Sequence, residues 1–294
     1  MIPLEYTISE GWGEQPVSEL LGRFLGFSTA ARKLLRETPG ALRLDGQPVA
    51  PYERVSPGQR LTVLLPDDPP SPIEPVQGPL DIRYEDSHLL VVSKAPGVTV
   101  HPGPNHHGDT LGNFVTWHYR SQGENHLFRP VNRLDKGTSG LMCIAKHGHA
   151  ADRLRAQLHS PAFRRVYLAV CEGVPVPPAG VIDAPIGRKE GSVIARQVRP
   201  GGKEAATKYQ IIISYVNLSL VKVWPQTGRT HQIRVHLAYI GHPLVGDFLY
   251  GSENPGLISR PALHSAELTF VHPVTGERLS FADPLPEDMR NLLR

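Results

Sequence analysis

Arg129 to Gly140 reads R-P-V-N-R-L-D-K-G-T-S-G, and Leu141 to Ala145 continues it as the apolar run L-M-C-I-A. A short apolar run opened by a glycine reads as a buried strand, so Asp135 belongs to the loop that feeds it. Loops carried by a rigid sheet are where site residues concentrate. An acid set between Arg133 and Lys136, with apolar Val131 and Leu134 around it, has the surroundings of a held carboxylate. A turn aspartate bonding its own backbone near Gly137 satisfies the same residues. The stretch alone leaves both open.

Composition bounds the class. The chain has 294 residues, 40% hydrophobic and 20% charged, which suits a folded chain with one large domain and something smaller. Its 28 glycines and 29 prolines favour many short strands joined by turns. The net charge of +3 is compatible with a polyanionic partner without requiring one. Charge is better resolved locally: eight Lys or Arg fall between Arg129 and Arg165, against Asp135 and Asp152. Such a run is either a solvated face or a phosphate track.

Cys143 and Cys171 each sit in an apolar run and read as buried thiols, with no C-x-x-C metal spacing. No stretch approaches 18 apolar residues and the N-terminus lacks a signal-peptide pattern, so a cytoplasmic protein without membrane attachment is expected. The phosphate-binding patterns G-x-G-x-x-G and G-x-x-x-x-G-K-[ST] are absent, arguing against a nucleotide cofactor. Gly137 to Leu141 fails G-x-S-x-G at its last position, which removes the serine hydrolase elbow. His101, His106, His107 and Asp109 share one loop, but a metal site there would need a second ligand cluster. No metal is expected.

In chain order, Val17, Leu20, Leu21, Phe24 and Leu25 fall at helical spacing, and Ser28 offers an N-cap to a second short helix carrying Ala31, Leu34 and Leu35. Leu42 to Gln47 has Asp-Gly at a hairpin turn, and Leu61 to Leu65 reads as a strand. Residues 66–79 hold six prolines, the composition of an extended, semi-rigid spacer between domains 1–65 and 80–294. Strands follow at Leu80 to Tyr84, His88 to Ser93, Val166 to Cys171, Tyr209 to Ser214 and Leu218 to Trp224. Helices are expected over His149 to His159 and Gln232 to Ile240. Arg234 stands off the apolar stripe of the latter and by itself reads as a surface residue.

R-L-D-K-G-T-S-G-L resembles the catalytic motif of the large pseudouridine synthase family that modifies ribosomal and transfer RNA. Arg165 to Ala169 (R-V-Y-L-A) resembles its basic-x-Tyr-x-Ala strand, and Gly228 to Gly251 its longest signature. Leu263 to Ser265 and Phe270 to Pro273 resemble its closing strand, and Lys94 to Gly97 its opening turn with Ala95 inserted. Residues 1–65 resemble, more weakly, the αL-motif RNA-binding domain that often precedes the catalytic domain. Arg32, Lys33 and Arg36 are all that remains of its basic second helix, so RNA grip and structural capping are both open.

The resemblance, which covers roughly residues 80 to 285, implies an RNA pseudouridine synthase acting on ribosomal or transfer RNA. It implies Asp135 as nucleophile, Arg234 as its bidentate partner, Arg133 beside the vacated base position, and Tyr167 on the flipped uracil, with a role in the closing proton removal. Asn132 replaces the family's usual His, a change that bears on target choice. The reaction is an isomerisation and calls for no cofactor. The expected fold is α+β: a mixed, mostly antiparallel sheet whose central cleft holds Asp135, with helices outside, in a chain acting as a monomer. The alternative is a scaffold that binds RNA without catalysis.

Overall fold

The computed structural model describes residues 1–294. The central run reads as buried because it lies in the middle of a ten-stranded sheet. Its strands are β4 (Asp81–Glu85), β5 (Leu89–Lys94), β6 (Ser139–Ala145), β7 (Arg164–Glu172), β8 (Ala179–Asp183), β9 (Ala206–Ser214), β10 (Leu218–Pro225), β11 (Leu263–Val271) and β12 (Arg278–Ala282). The order across the sheet is β8-β9-β10-β7-β11-β6-β5-β4, with β12 on β11 and the two-residue strand Arg129–Pro130 on β6. All pairings are antiparallel except β6 with β11, where Ser139 meets His264 and Gly140 meets Ser265. The fold is thus the mixed, mostly antiparallel α+β arrangement expected.

Continuous apolar runs arise because both faces of this sheet are covered. Alternate residues of β5 and β6 go to opposite sides. Leu90, Val92, Met142 and Ile144 join the main core, whereas Leu89, Val91, Leu141 and Cys143 join a second one. Helices α2 (Leu111–Ser121) and α4 (Gln232–Tyr239) cover the first face, contributing Leu111, Val115, Tyr119, Ile233 and Leu237. Helix α3 (Gly148–Gln157) covers the second with Ala150, Ala151 and Leu154, and its N-cap is His147, whose Nδ1 accepts from the Ala150 amide.

Residues 1–65 form their own layer. Strands β1 (Ile2–Thr7), β2 (Leu42–Leu44) and β3 (Arg60–Leu65) order as β1-β3-β2, with Gln47–Pro48 at the edge. Asp45 and Gly46 both take positive φ (48° and 83°), the pair of left-handed residues that a type I′ hairpin needs. Helix α1 (Thr29–Glu37) is capped by Ser28, whose hydroxyl accepts from the Ala31 amide. Val17 to Phe24 is a looser helix, with π-type bonding from Leu20 to Phe24.

The proline-rich stretch is a strap fastened along the larger layer. Arg129 holds Asp68 with both guanidinium Nη atoms, the Asn113 amide donates to the Glu74 carbonyl at 2.8 Å, and Ile73 packs on the main core. Arg129 and Lys146, which contacts Glu85 and Glu124, are consequently internal ion pairs and no part of a phosphate track. No helix is long and apolar enough to cross a membrane.

Candidate active site

The stem of the Asp135 loop is held at three points. Asn132 is buried; its amide oxygen accepts from the Cys143 amide at 2.9 Å and its NH2 donates to the Leu141 carbonyl at 3.3 Å. It binds the loop to β6 as a strand neighbour would. Position 132 is therefore a loop anchor. Lys94 is buried beneath the loop and donates to the carbonyls of Ala95, Val98 and Lys136 at 2.8, 2.8 and 3.2 Å. Burial, then the neighbouring Arg260, pull its pKa down to about 7, but three carbonyl acceptors match the three N–H bonds of the ammonium form. Gly140 is the third point. Its φ is +105°, and a Cβ would stand 2.3 Å from the Ser265 carbonyl oxygen, so only glycine admits the close parallel contact with β11.

These anchors place Asp135 in a cleft of about 420 Å³ at the centre of the sheet. Arg133, Asp135, Tyr167 and Arg234 all line it. Asp135 is the only carboxylate in the lining, against Arg133, Arg165, Arg229 and Arg234. Its Oδ2 lies 3.6 Å from Arg234 Nη1 and 3.9 Å from His231 Nε2, with its side chain 22% exposed. Neither carboxylate oxygen of Asp135 accepts from its own loop's backbone; the Thr138 N–H donates instead to the Asp135 carbonyl at 3.0 Å.

Arg234 is not a surface residue: Gln232 to Leu237 are all buried. Nor is Asp135 its bidentate partner. Nε and Nη2 both donate to Asp247, each at 2.7 Å, and Asp247 is wholly buried. Tyr250 and Phe248 flank the guanidinium, 5.1 and 5.7 Å from their ring centres. Burial opposes its charge, but Asp247, and next Asp135, hold its pKa above the ordinary arginine value. Nη1 is left to face Asp135. The rotamer is thus fixed by a second carboxylate, and the nucleophile candidate remains unencumbered.

A further relay reaches the same carboxylate. Tyr250 Oη accepts from the Arg196 amide at 2.8 Å and lies 2.8 Å from His231 Nδ1. With the Arg196 N–H donating to Tyr250 Oη, the phenol O–H is free to donate to Nδ1, the arrangement that leaves the His231 N–H on Nε2, the Asp135 side. Burial lowers the His231 pKa, so the ring is neutral at neutral pH. Its backbone is left-handed, φ 58°, an uncommon conformation for a residue with a side chain.

Tyr167 reaches the cleft from β7, on the face shared with Ala169 and Cys171 and opposite Val170. The pairing of β7 with β11 slips between Val166 and Tyr167, which re-aims the side chain. Burial raises its pKa above 10, so the phenol is protonated at neutral pH. In the free protein it is a donor and an aromatic surface, and it acts as a base only after losing that proton. Arg133 stands exposed at the mouth of the cleft. The loop histidines are dispersed: His106 joins Asp109 and Lys136, and His101 lines the cleft against Phe128.

Asp247, His231, Tyr250 and Lys94 are the site residues that the sequence reading missed. His231, Asp247 and Tyr250 lie within Gly228 to Gly251, so the signature itself held the signal.

A lone carboxylate in a cleft lined by four arginines, faced by a buried one of them, is a site whose charge suits a polyanionic substrate. Residues 88–239 match the family model described as RNA pseudouridylate synthase. An uncharacterized RNA pseudouridine synthase of Bacillus subtilis, YhcT, is 42% identical over 242 residues, covering 82% of this chain and 80% of the relative. Ribosomal large subunit pseudouridine synthase D of Zymomonas mobilis is 39% identical over 250 residues, 79% and 78% of the two chains. Among solved structures, human RNA pseudouridylate synthase domain containing 4 superposes with a TM-score of 0.58 at 25% identity, covering 72% of this chain and 91% of that one. The chain belongs to the RNA pseudouridylate synthase family. It is an RNA pseudouridine synthase, an isomerase that converts uridine in RNA to pseudouridine.

Proposed function

We propose that this enzyme isomerises uridines in structured ribosomal RNA with Asp135 as nucleophile. Support for ribosomal RNA comes from the names of its relatives, two of which are ribosomal large subunit pseudouridine synthases. Transfer RNA is the other substrate that the sequence resemblance implies.

The isomerisation breaks N1–C1′, turns the uracil, and forms C5–C1′. The proton on C5 leaves and N1 gains one, so the reaction balances without an oxidant or reductant. An ionised, free carboxylate supplies the nucleophile that separates base from sugar. Arg234 Nη1 faces and orients it, since Arg234 is itself locked by Asp247. A base inside a stack cannot meet Asp135, so the target nucleotide turns out into the cleft, at a cost of a few kcal/mol. Tyr167 offers the flipped uracil its ring, and Arg133 at the mouth faces the RNA that the base has left.

The observation that carries this reading is the isolation of Asp135: no other acid lines the cleft. The test uses RNA transcripts labelled with tritium at C5 of uridine, because forming C5–C1′ releases that label to water. Wild type is expected to release it, and Asp135→Asn to release none while still binding the transcript. Release by Asp135→Asn at the wild-type rate would remove Asp135 from the chemistry. RNA binding by wild type without release would favour the non-catalytic scaffold.

A further inference from the structure

His231 stands at the N-cap of α4 without capping it. Its side chain bonds no amide of the helix, and its backbone is left-handed, φ 58°. An ordinary polar cap keeps extended backbone and bonds the amide two or three residues on. The turn before the helix is held instead by Gln232, whose Oε1 accepts from the Thr227 hydroxyl at 2.6 Å and the Arg229 amide at 3.0 Å. The conformation at position 231 therefore serves the side chain, which directs both ring nitrogens away from the helix. Nδ1 lies 2.8 Å from Tyr250 Oη, and Nε2 lies 3.9 Å from Asp135 Oδ2.

Arg234 follows three residues on, so the two side chains share one face of the helix. They meet the same oxygen, because Arg234 Nη1 is 3.6 Å from Oδ2, and Oδ1 is in neither contact. Both distances exceed a hydrogen bond, as is common for catalytic groups before substrate tightens the site. The two groups differ in charge. Arg234 is a cation tied to Asp247. His231 is neutral: burial lowers its pKa, and the charges facing it are balanced. Asp135 comes from its loop, Arg234 from α4 itself, Asp247 from the turn after α4, and Arg196 from the strand Arg196–Val198. A second cation at this place would pair with the carboxylate and lower its nucleophilicity, whereas a neutral N–H holds one oxygen and leaves the charge.

We infer that His231 is a second positioning residue for the reaction: its neutral Nε2–H, set in that tautomer by Tyr250, closes on Asp135 Oδ2 when uridine enters and leaves Oδ1 as the nucleophilic oxygen. This rests on the reading of Asp135 as nucleophile. Tyr250 then has two duties, its ring against the Arg234 guanidinium and its hydroxyl on His231.

The test joins tritium release by the full-length protein, over a range of transcript concentrations, to the ring nitrogen NMR shifts of His231, assigned by comparison with His231→Gln. Wild type is expected to show a protonated Nε2 and a bare Nδ1. His231→Leu should lower kcat by about 10² with KM little changed, the loss that follows from removing one donor at a reacting oxygen. His231→Gln, whose amide N–H reaches about as far as Nε2, should recover most of that loss. Tyr250→Phe keeps the ring beside Arg234 and loses the hydroxyl; it should lower kcat by about tenfold and give a mixture of His231 tautomers. Should His231→Leu fail to fold, as read by its melting temperature, Tyr250→Phe carries the test. A wild-type kcat in His231→Leu or Tyr250→Phe overturns the assignment. So does an Nδ1–H tautomer in the wild type, or an equal loss in His231→Leu and His231→Gln, which would mark a structural residue. Failure of the underlying reading would show separately, as tritium release by Asp135→Asn at the wild-type rate.

Discussion

At the scale of single residues the site is a chain of command: Asp247 fixes Arg234, and Arg234 faces Asp135. Asp247→Asn keeps the shape but loses the charge that holds the guanidinium. Its expected effect is a fall of about 10² in kcat, the size that follows from misplacing a reacting group by about 1 Å. Steady-state tritium release measures it, and an unchanged kcat would show that Arg234 needs no second carboxylate. Removing the side chain altogether, as Asp247→Ala, leaves a buried unpaired cation and should lower stability by about 3–5 kcal/mol in urea unfolding. Asp135 was legible in the sequence because its motif is contiguous. The pairing of Arg234 was not, since its partner lies thirteen residues on, across a turn that no periodicity reports. Its burial was hidden too, because α4 is buried on almost its whole circumference: the expected stripe of Ile233, Leu237 and Ile240 does face the main core, but Arg234 beside it is buried as well.

Among the elements, the apolar run of β6 could be read because strands buried on both faces are apolar throughout. What could not be read is that it pairs in parallel with β11, a contact between residues 125 apart in sequence order. Gly140→Ala tests that contact: a methyl against the Ser265 carbonyl, at a positive φ, should destabilise by more than about 3 kcal/mol. Denaturant unfolding would show it, and a loss under 1 kcal/mol would mean the strands can separate freely. Helix α2 escaped the sequence reading because Leu111 to Thr116 are all buried, leaving no polar face to give it a period. The hairpin Ile186–Val198 escaped for the opposite reason, having few apolar residues to alternate.

At the scale of the whole molecule, the N-terminal layer meets the catalytic layer at a histidine: Phe27 stacks on His149 with ring centres 3.8 Å apart. Within the catalytic layer, two residues before it, His147 lies 3.1 Å from His88 between ring nitrogens. Burial, reinforced by Arg153 at His149 and by His88 at His147, lowers their pKa values to about 4 and about 3. A histidine whose folded pKa lies below its unfolded value takes up protons more readily when unfolded. Stability is therefore complete above the unfolded value near 6.5 and falls with pH down to the folded value. For His149 the loss reaches on the order of 3 kcal/mol by about pH 4. His149→Phe keeps the stacking and cannot titrate, so its melting temperature should fall less between pH 6.5 and 4 than that of wild type. Equal falls would place the pH sensitivity elsewhere. In the first 65 residues the Ser28 cap and the Asp-Gly turn were legible. The seat of this layer on α3 was not, because a stacked Phe and His leave no mark in either segment's pattern.

The central claim, that Asp135 converts particular uridines of ribosomal RNA, is tested most directly by mapping pseudouridines in cells. Ribosomal and transfer RNA from a strain lacking the gene, complemented with wild type or Asp135→Asn, would be labelled with carbodiimide and read by primer extension. The expected result is a ribosomal RNA site that disappears on deletion and returns only with wild type. Restoration of that site by Asp135→Asn would contradict the account.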